Sequence, residues 1–373
     1  MTNPTAARIE LRNRNFDLVK VLDKIRKDVS WDYNRIGGCG NCNISLAAEE
    51  LMDIGADYDI QMRLEDGLGG TNLVYRGYAE SNRPIVDVRP SLTLQGFGYY
   101  GQLARVKVKH TYTTQEISLI VKDILDNYVL PDTSITYSAA DIEATGFTID
   151  SIDFDDMADK ALKTLADIAG KIEWGVDVNR NFFFKAQDDA VKYRLRYGID
   201  IAKYDPVDEY RDIINRIYIK GGTIGGVQFE ETVDNLESQG YYGLRSIVKS
   251  NSSILTSAVA QRYGTMILAE TAKVQKRVSL RIANNSIFFE QTLPMGRISV
   301  IGKNIVSAKK YGDADAIYGR FKYGGNPSFQ VDRISYKIMN EGTQATISGG
   351  YAKPDIAEQI KRLDFEISQI RNV

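Results

Sequence analysis

"IDSIDFDDMADKALKTLADIAGKIEWGVDVNRNFFF", Ile149 to Phe184, changes its hydrophobic period twice. It opens as an extended segment. It then switches to helical spacing, with Met157, Ala161, Leu162, Leu165 and Ile168 on one face. Asp155 and Asp156 suit the N-terminus of that helix and Gly170 suits its end. Ile172, Trp174, Val176 and Val178 then alternate into Asn179–Asn181, and "FFFKA" returns as the second strand of a hairpin. Strand, helix and hairpin in this order predict a small α/β unit.

Upstream, Thr113 and Glu116 have the spacing of a capping box. Ile117, Ile120, Val121, Ile124, Leu125 and Tyr128 follow at helical intervals. The first hundred residues read as short strands. Ile9 and Leu11, then Phe16 and Leu18, flank a turn at Asn13–Asn15. Cys42, Ile44 and Leu46 alternate, as do Ile60, Met62 and Leu64. This pattern predicts a β barrel or sandwich. Downstream, "NRIYIKGG" (Asn215 to Gly222) is a strand, a helix is expected over roughly 256–273, and strands dominate to Tyr351. The chain closes on an amphipathic helix.

Composition narrows the function. The 373 residues carry a net charge of −2, which gives no basic field for nucleic acid or an anionic membrane. No apolar run is long enough to span a bilayer, so no membrane span is expected. Two cysteines cannot staple a secreted scaffold, and synthesis in a reducing cytoplasm follows. Twenty-two tyrosines and 31 glycines suit strands and interfaces.

Cys39 and Cys42 form a C-x-x-C, but His110 is the only histidine, so a four-ligand zinc site within one chain has too few ligands of these types. A site shared across a symmetry axis stays open. The strand-like sequence after Cys42 favours two small buried residues over a redox pair. "GFGYYG" (Gly96 to Gly101) matches G-x-G-x-x-G but runs into an extended segment, where a dinucleotide site needs a helix. "DSIDFDD" (Asp150 to Asp156) lacks the glycine and distal glutamate of a calcium loop. No catalytic, cofactor or metal residues are assigned, and an enzyme is not expected.

The last helix carries the one candidate site, for oligomerisation. Ile356, Ile360, Leu363, Ile367 and Ile370 are spaced as the a/d seam of a coiled coil, and isoleucine at both positions favours three or four strands. Glu366 and Arg371 fall at g and e, where neighbouring helices could pair them. Docking of this helix on its own domain or on a partner is the alternative.

The order of parts resembles the central tail hub proteins of tailed phages and related contractile injection systems. The carrying segments are "RIGGCGNCNISL", "VYRGYAES", "LTLQGFGYYGQL" with "TYTTQEISLIVKDIL", the Ile149–Phe184 stretch, "INRIYIKGG", "LPMGRISVIG" and the final helix. The resemblance implies a β-rich mixed α+β fold with two tube-like β-barrel domains and an intervening α/β domain. The first barrel would span 1–109 and the α/β domain 110–205. The second barrel would combine 206–235 with 287–352, leaving 236–286 as a helical addition and 353–373 as the C-terminal amphipathic helix.

It further implies a homotrimer whose six barrels form a pseudo-sixfold ring. That ring would join a hexameric tail tube, or a distal tail ring protein, to a tail-tip or spike protein. A channel would pass DNA or tape-measure protein, and the location would be the virion tail tip or baseplate. A host-surface adhesin of the tip is the alternative function, and a metal or redox protein using Cys39 and Cys42 a third.

Overall fold

Two asparagine-centred turns show how short polar sequences set this fold. The computed structural model describes residues 7–22, 25–47, 54–55, 57–65, 71–85, 91–283, 295–301, 328–339 and 342–350. At the first turn, Asn13 Oδ1 accepts the N–H groups of Asn15 and Asp17 (2.9 and 3.0 Å) and closes β1 (Ala7–Arg12) onto β2 (Leu18–Leu22). At the second, Asp177 Oδ1 accepts from Asn179 and Asn181 (2.7 and 2.9 Å). The two turns meet: Arg180 lies 3.9 Å above the Phe16 ring, and both residues hold a positive φ.

The first β region continues with β3 (Ile25–Asn34), β4 (Gly37–Ala47), β5 (Asp59–Glu65), β6 (Thr71–Ile85) and β7 (Ser91–Gly98). A 3-10 helix, Tyr99–Arg105, leads into β8 (Lys107–Glu116). Helix α1 (Ile117–Ile124) follows, with a π turn at Leu125–Val129 and the short α2 (Leu130–Asp132). Thr113 lies inside β8, so the expected capping box does not form. Glu116 is the N-cap instead: its carboxylate accepts Ser118 N–H (2.7 Å) and also holds Thr145.

Next come β9 (Thr136–Ile142), β10 (Thr148–Met157), α3 (Ala158–Ala169), β11 (Ile172–Val176) and β12 (Asn181–Ala186). The strand, helix and hairpin of the Ile149–Phe184 stretch are all present. Asp155 and Asp156 lie in the strand before the helix, and Asp159 is the acid in its first turn.

The remainder alternates strands with two helices. β13 (Val191–Arg196), β14 (Ile201–Glu209), β15 (Arg216–Ile224) and β16 (Val227–Asp234) lead to α4 (Leu236–Tyr242), β17 (Ser246–Ser250) and α5 (Ser257–Thr271). β18 (Gln275–Ile282), β19 (Arg297–Ile301), β20 (Ser328–Met339) and β21 (Gly342–Gly350) complete the described chain.

The strands assemble across the sequence. One hydrogen-bonded path runs β14-β18-β21-β20-β3-β4-β7-β6-β5-β1-β2. Its middle step, the antiparallel pair β20–β3, fuses the early and late β regions into a single sheet. Their side chains share one core, in which Leu11, Trp31, Ile44 and Met62 belong to the same cluster as Leu280, Ile334, Tyr336 and Ile347. A second core, formed by α1, α3, α5 and the strands around them, contains Ile120, Leu162, Phe182 and Ile217. The span 206–235 is divided. The end of β14 pairs with β18 in the large sheet, while β15 and β16 join β17 in a separate three-stranded sheet beside α5. Alternation gives a strand but not the sheet it joins.

Candidate assembly site

The seam between the two β regions is built from both faces of β3. Val29, Trp31 and Tyr33 point into the shared core, while Asp32 and Asn34 are buried on the opposite face. Trp31 stacks on Tyr336 of β20 with ring centres 5.0 Å apart and planes 12° from parallel. Asp32 accepts from Arg333 Nη2 (2.5 Å), Asn34 Nδ2 (2.9 Å) and Asn41 N–H (3.2 Å). Burial raises the Asp32 carboxyl pKa, against the pull of Arg333. One residue on, Arg35 Nε donates to Asp332 Oδ1 (2.9 Å), while its backbone N–H donates to the Asp332 carbonyl (2.8 Å).

Cys39 and Cys42 belong to this seam. Three residues apart, they would face opposite sides of a regular strand. The register closes this difference. Trp31 pairs with Cys42 and Tyr33 with Cys39, so two steps on β3 match three on β4. The extra residue makes a bulge at Gly40–Asn41, which brings both thiols into the core. A Cβ at position 40 would stand 1.7 Å from Asp32 Oδ1 and 2.4 Å from Asn34 Nδ2, so any larger residue there must displace this buried polar pair. Both thiols are free and buried, and burial pushes Cys39 up to about 12 and Cys42 well above the usual thiol range. A thiolate is strongly disfavoured at either position. Among the described residues no group of histidine, cysteine and acidic side chains is arranged to hold a metal.

The glycines beside them are sites of close approach. Gly37 and Gly38 meet Gly175 and Val176 in a short parallel bridge from β4 to β11. A Cβ on Gly38, whose φ is +77°, would lie 2.1 Å from the Val176 carbonyl oxygen. The "GFGYYG" glycines behave alike: a Cβ on Gly98 would strike the Cys39 carbonyl, and one on Gly101 the Tyr78 hydroxyl. They pack β7 and the 3-10 helix and open no α-helix. In "DSIDFDD", Asp155 pairs with Lys107 and Asp156 with Lys160, while Asp153 accepts from Thr111.

The ends of the strand path differ from its middle. β2 leaves Leu18 48% and Val19 41% exposed, and β14 leaves Val207 52% exposed. Leu18, read from the sequence as flanking the hairpin turn, is a surface residue of a strand at the end of that path. Other exposed apolar side chains are Tyr218 and Val248, paired on the three-stranded sheet, Tyr241 in the last turn of α4 and Leu244 just after it. The oligomerisation residues Ile356, Ile360, Leu363, Glu366, Ile367, Ile370 and Arg371 lie outside the described residues. Sequence reading missed Asp32 and Arg333, which sit 301 residues apart. The odd C-x-x-C spacing with an interposed glycine was the available signal for the bulge.

No family model matches the sequence, and no curated protein matches it. Solved structures do share its fold. The 43 kDa tail protein of prophage MuSo2 from Shewanella oneidensis matches with a TM-score of 0.61 and 13% identity, over 94% of this chain and 99% of that one. A tail protein from Neisseria meningitidis matches at 0.60 and 11%, over 92% and 96%. Prophage tail protein gp18 from Listeria monocytogenes matches at 0.55 and 10%, over 97% and 99%. The resemblance read from the sequence therefore holds for the fold along nearly the whole chain.

Proposed function

From a fold shared with phage tail proteins, we infer that this chain is a structural protein of a phage tail and not an enzyme. Three copies form a pseudo-sixfold ring, each giving two tube-like β units, and the ring leaves a channel for DNA or tape-measure protein. It joins the tail tube or a distal ring protein to the tip or spike. The subunit is made in the host cytoplasm and is located in the virion, at the tail tip or baseplate.

The observation that carries this reading is the strand path itself. Two β regions are already fused side by side through β3 and β20, and the path ends on β2 and β14, both with exposed apolar side chains. Strand edges of this kind are association surfaces. Contact between the β2 end of one copy and the β14 end of the next is heterologous, and such contacts form a ring when the rotation closes. Pro206 within β14 limits how far a backbone ladder can extend there, so side-chain packing by Val207 is assigned part of the contact. The final helix, through Ile356, Ile360, Leu363, Ile367 and Ile370, would bundle three copies on the axis.

Light scattering on the full chain and on a chain ending at Ala352 tests both parts. A trimer that dissociates on truncation supports the ring and the helix bundle. A trimer that survives truncation keeps the ring and removes the bundle.

A further inference from the structure

The β1–β2 hairpin is rooted in one core and tied at its turn to the other. Ile9, Leu11 and Leu22 are buried in the core shared by the two β regions. Phe16, in the turn between the strands, packs instead against the core of α1, α3 and α5. Among the described residues β2 pairs with no strand but β1, so the sheet holds this hairpin from one side alone. Arg14 adds an ion pair to Asp57 (3.3 Å), but it is exposed and contributes little in water.

Two guanidinium groups lie over the Phe16 ring, Arg180 at 3.9 Å and Arg76 at 5.2 Å from its centre. Arg76 is fixed by the buried Asp59, which accepts its Nε (2.8 Å) and Nη2 (3.1 Å). Arg180 has no carboxylate partner among the described residues. Its Nη1 donates to the Ser134 carbonyl (3.1 Å), and its Nε is buried without an acceptor. The Phe16 face and one carbonyl therefore set its place. Phe16 and Arg180 reach each other from backbones with φ of +66° and +69°, where a bulky side chain is disfavoured. Glycine would serve either turn with less strain. It could not supply the contact between the two side chains.

We propose that Phe16 and Arg180 form a clasp through which the α/β unit sets the position of the β1–β2 hairpin, and with it the end of the strand path that meets the next copy. The second half of this statement rests on the ring reading and the first does not. With the clasp closed, Leu18 and Val19 are presented in one orientation. With it released, the hairpin keeps its roots at Ile9, Leu11 and Leu22 while its turn swings free of the α/β unit.

Amide hydrogen exchange of β2, on the full chain at a dilution where the parent is one chain, tests the clasp in Phe16→Gly, Arg180→Gly and the double variant. Glycine suits both φ values, so a role in the turns alone predicts unchanged or slower exchange. The clasp predicts exchange at Leu18–Leu22 faster by roughly threefold or more in each single variant, with β20 unchanged. The double variant should be no faster than either single one, because each already removes the whole contact. Light scattering at rising concentration should then show the trimer forming later in all three. Unchanged β2 exchange, or effects of the two substitutions that multiply, would overturn the clasp. Faster exchange with an undiminished trimer would overturn its part in assembly and leave the ring standing. A parent that stays one chain at every concentration would overturn the ring and the second half of the proposal, while the exchange still decides the first.

Discussion

The middle of the long strand path and its two ends are built from the same kind of backbone and meet opposite fates. At β3–β20 an edge from each β region is satisfied inside the chain. Aromatic stacking covers one face, and a buried carboxylate paired with a half-exposed arginine covers the other. At β2 and β14, Leu18, Val19 and Val207 remain on the surface. The comparison teaches that this chain makes one lateral sheet junction by itself and leaves the material for another. If three copies close a ring, the external junctions repeat between chains what β3–β20 does within one.

The largest expected effect attacks the internal junction. Trp31→Ala removes the stack on Tyr336 from the shared core and should lower unfolding stability by about 3–5 kcal/mol, read by urea denaturation. A loss below about 1 kcal/mol would mean that the two β regions do not depend on the seam.

Next is Glu173, which ties β11 to the second β region by accepting Met295 N–H (2.9 Å) and the Gln330 amide. Burial raises its pKa to about 7, although Arg35, Met295 N–H and Lys192 pull it down; Asp332 adds to the rise. The folded chain thus holds this proton where the unfolded chain has lost it. The stabilisation is complete below about pH 4.5 and is lost as pH rises through about 7. Glu173→Gln should remove about 3 kcal/mol of that pH dependence and be more stable than the parent at pH 8. Parallel stability–pH curves for the two proteins would contradict this.

Smaller still is Arg333→Ala, which strips Asp32 of its cation. Arg333 is half-exposed and water can replace part of the interaction, so a loss of about 1–2 kcal/mol is expected in the same denaturation assay. The smallest effect on folding belongs to the ends. Val19→Lys and Val207→Lys should each change stability by no more than about 0.5 kcal/mol, because both side chains already face solvent. Their effect belongs to association.

Much of this architecture was legible in local pattern. The Ile149–Phe184 switch of period and the turns at Asn13 and Asn179 gave the right elements, because each depends on neighbours within a few residues. The α5 helix followed for the same reason. Long-range pairing was not legible. Nothing in the alternation of 215–222 tells β15 to join β17 and not the large sheet. Asp32 and Arg333 give no local sign that they meet. Thr113 misled because Glu116 could cap α1 alone while Thr113 kept its place in β8. The sequence after Cys42 marks the two cysteines as small core residues, and both are buried in β4. The bulge that turns both inward needed the register of β3 to be seen.

The molar mass of the full chain by light scattering, at rising concentration, tests the central claim most directly. Three times the 41.8 kDa chain mass is predicted, falling to one chain in the Val19→Lys, Val207→Lys double variant. A mass of one chain at every concentration, or a trimer untouched by the double variant, would contradict an assembly made through the ends of the strand path.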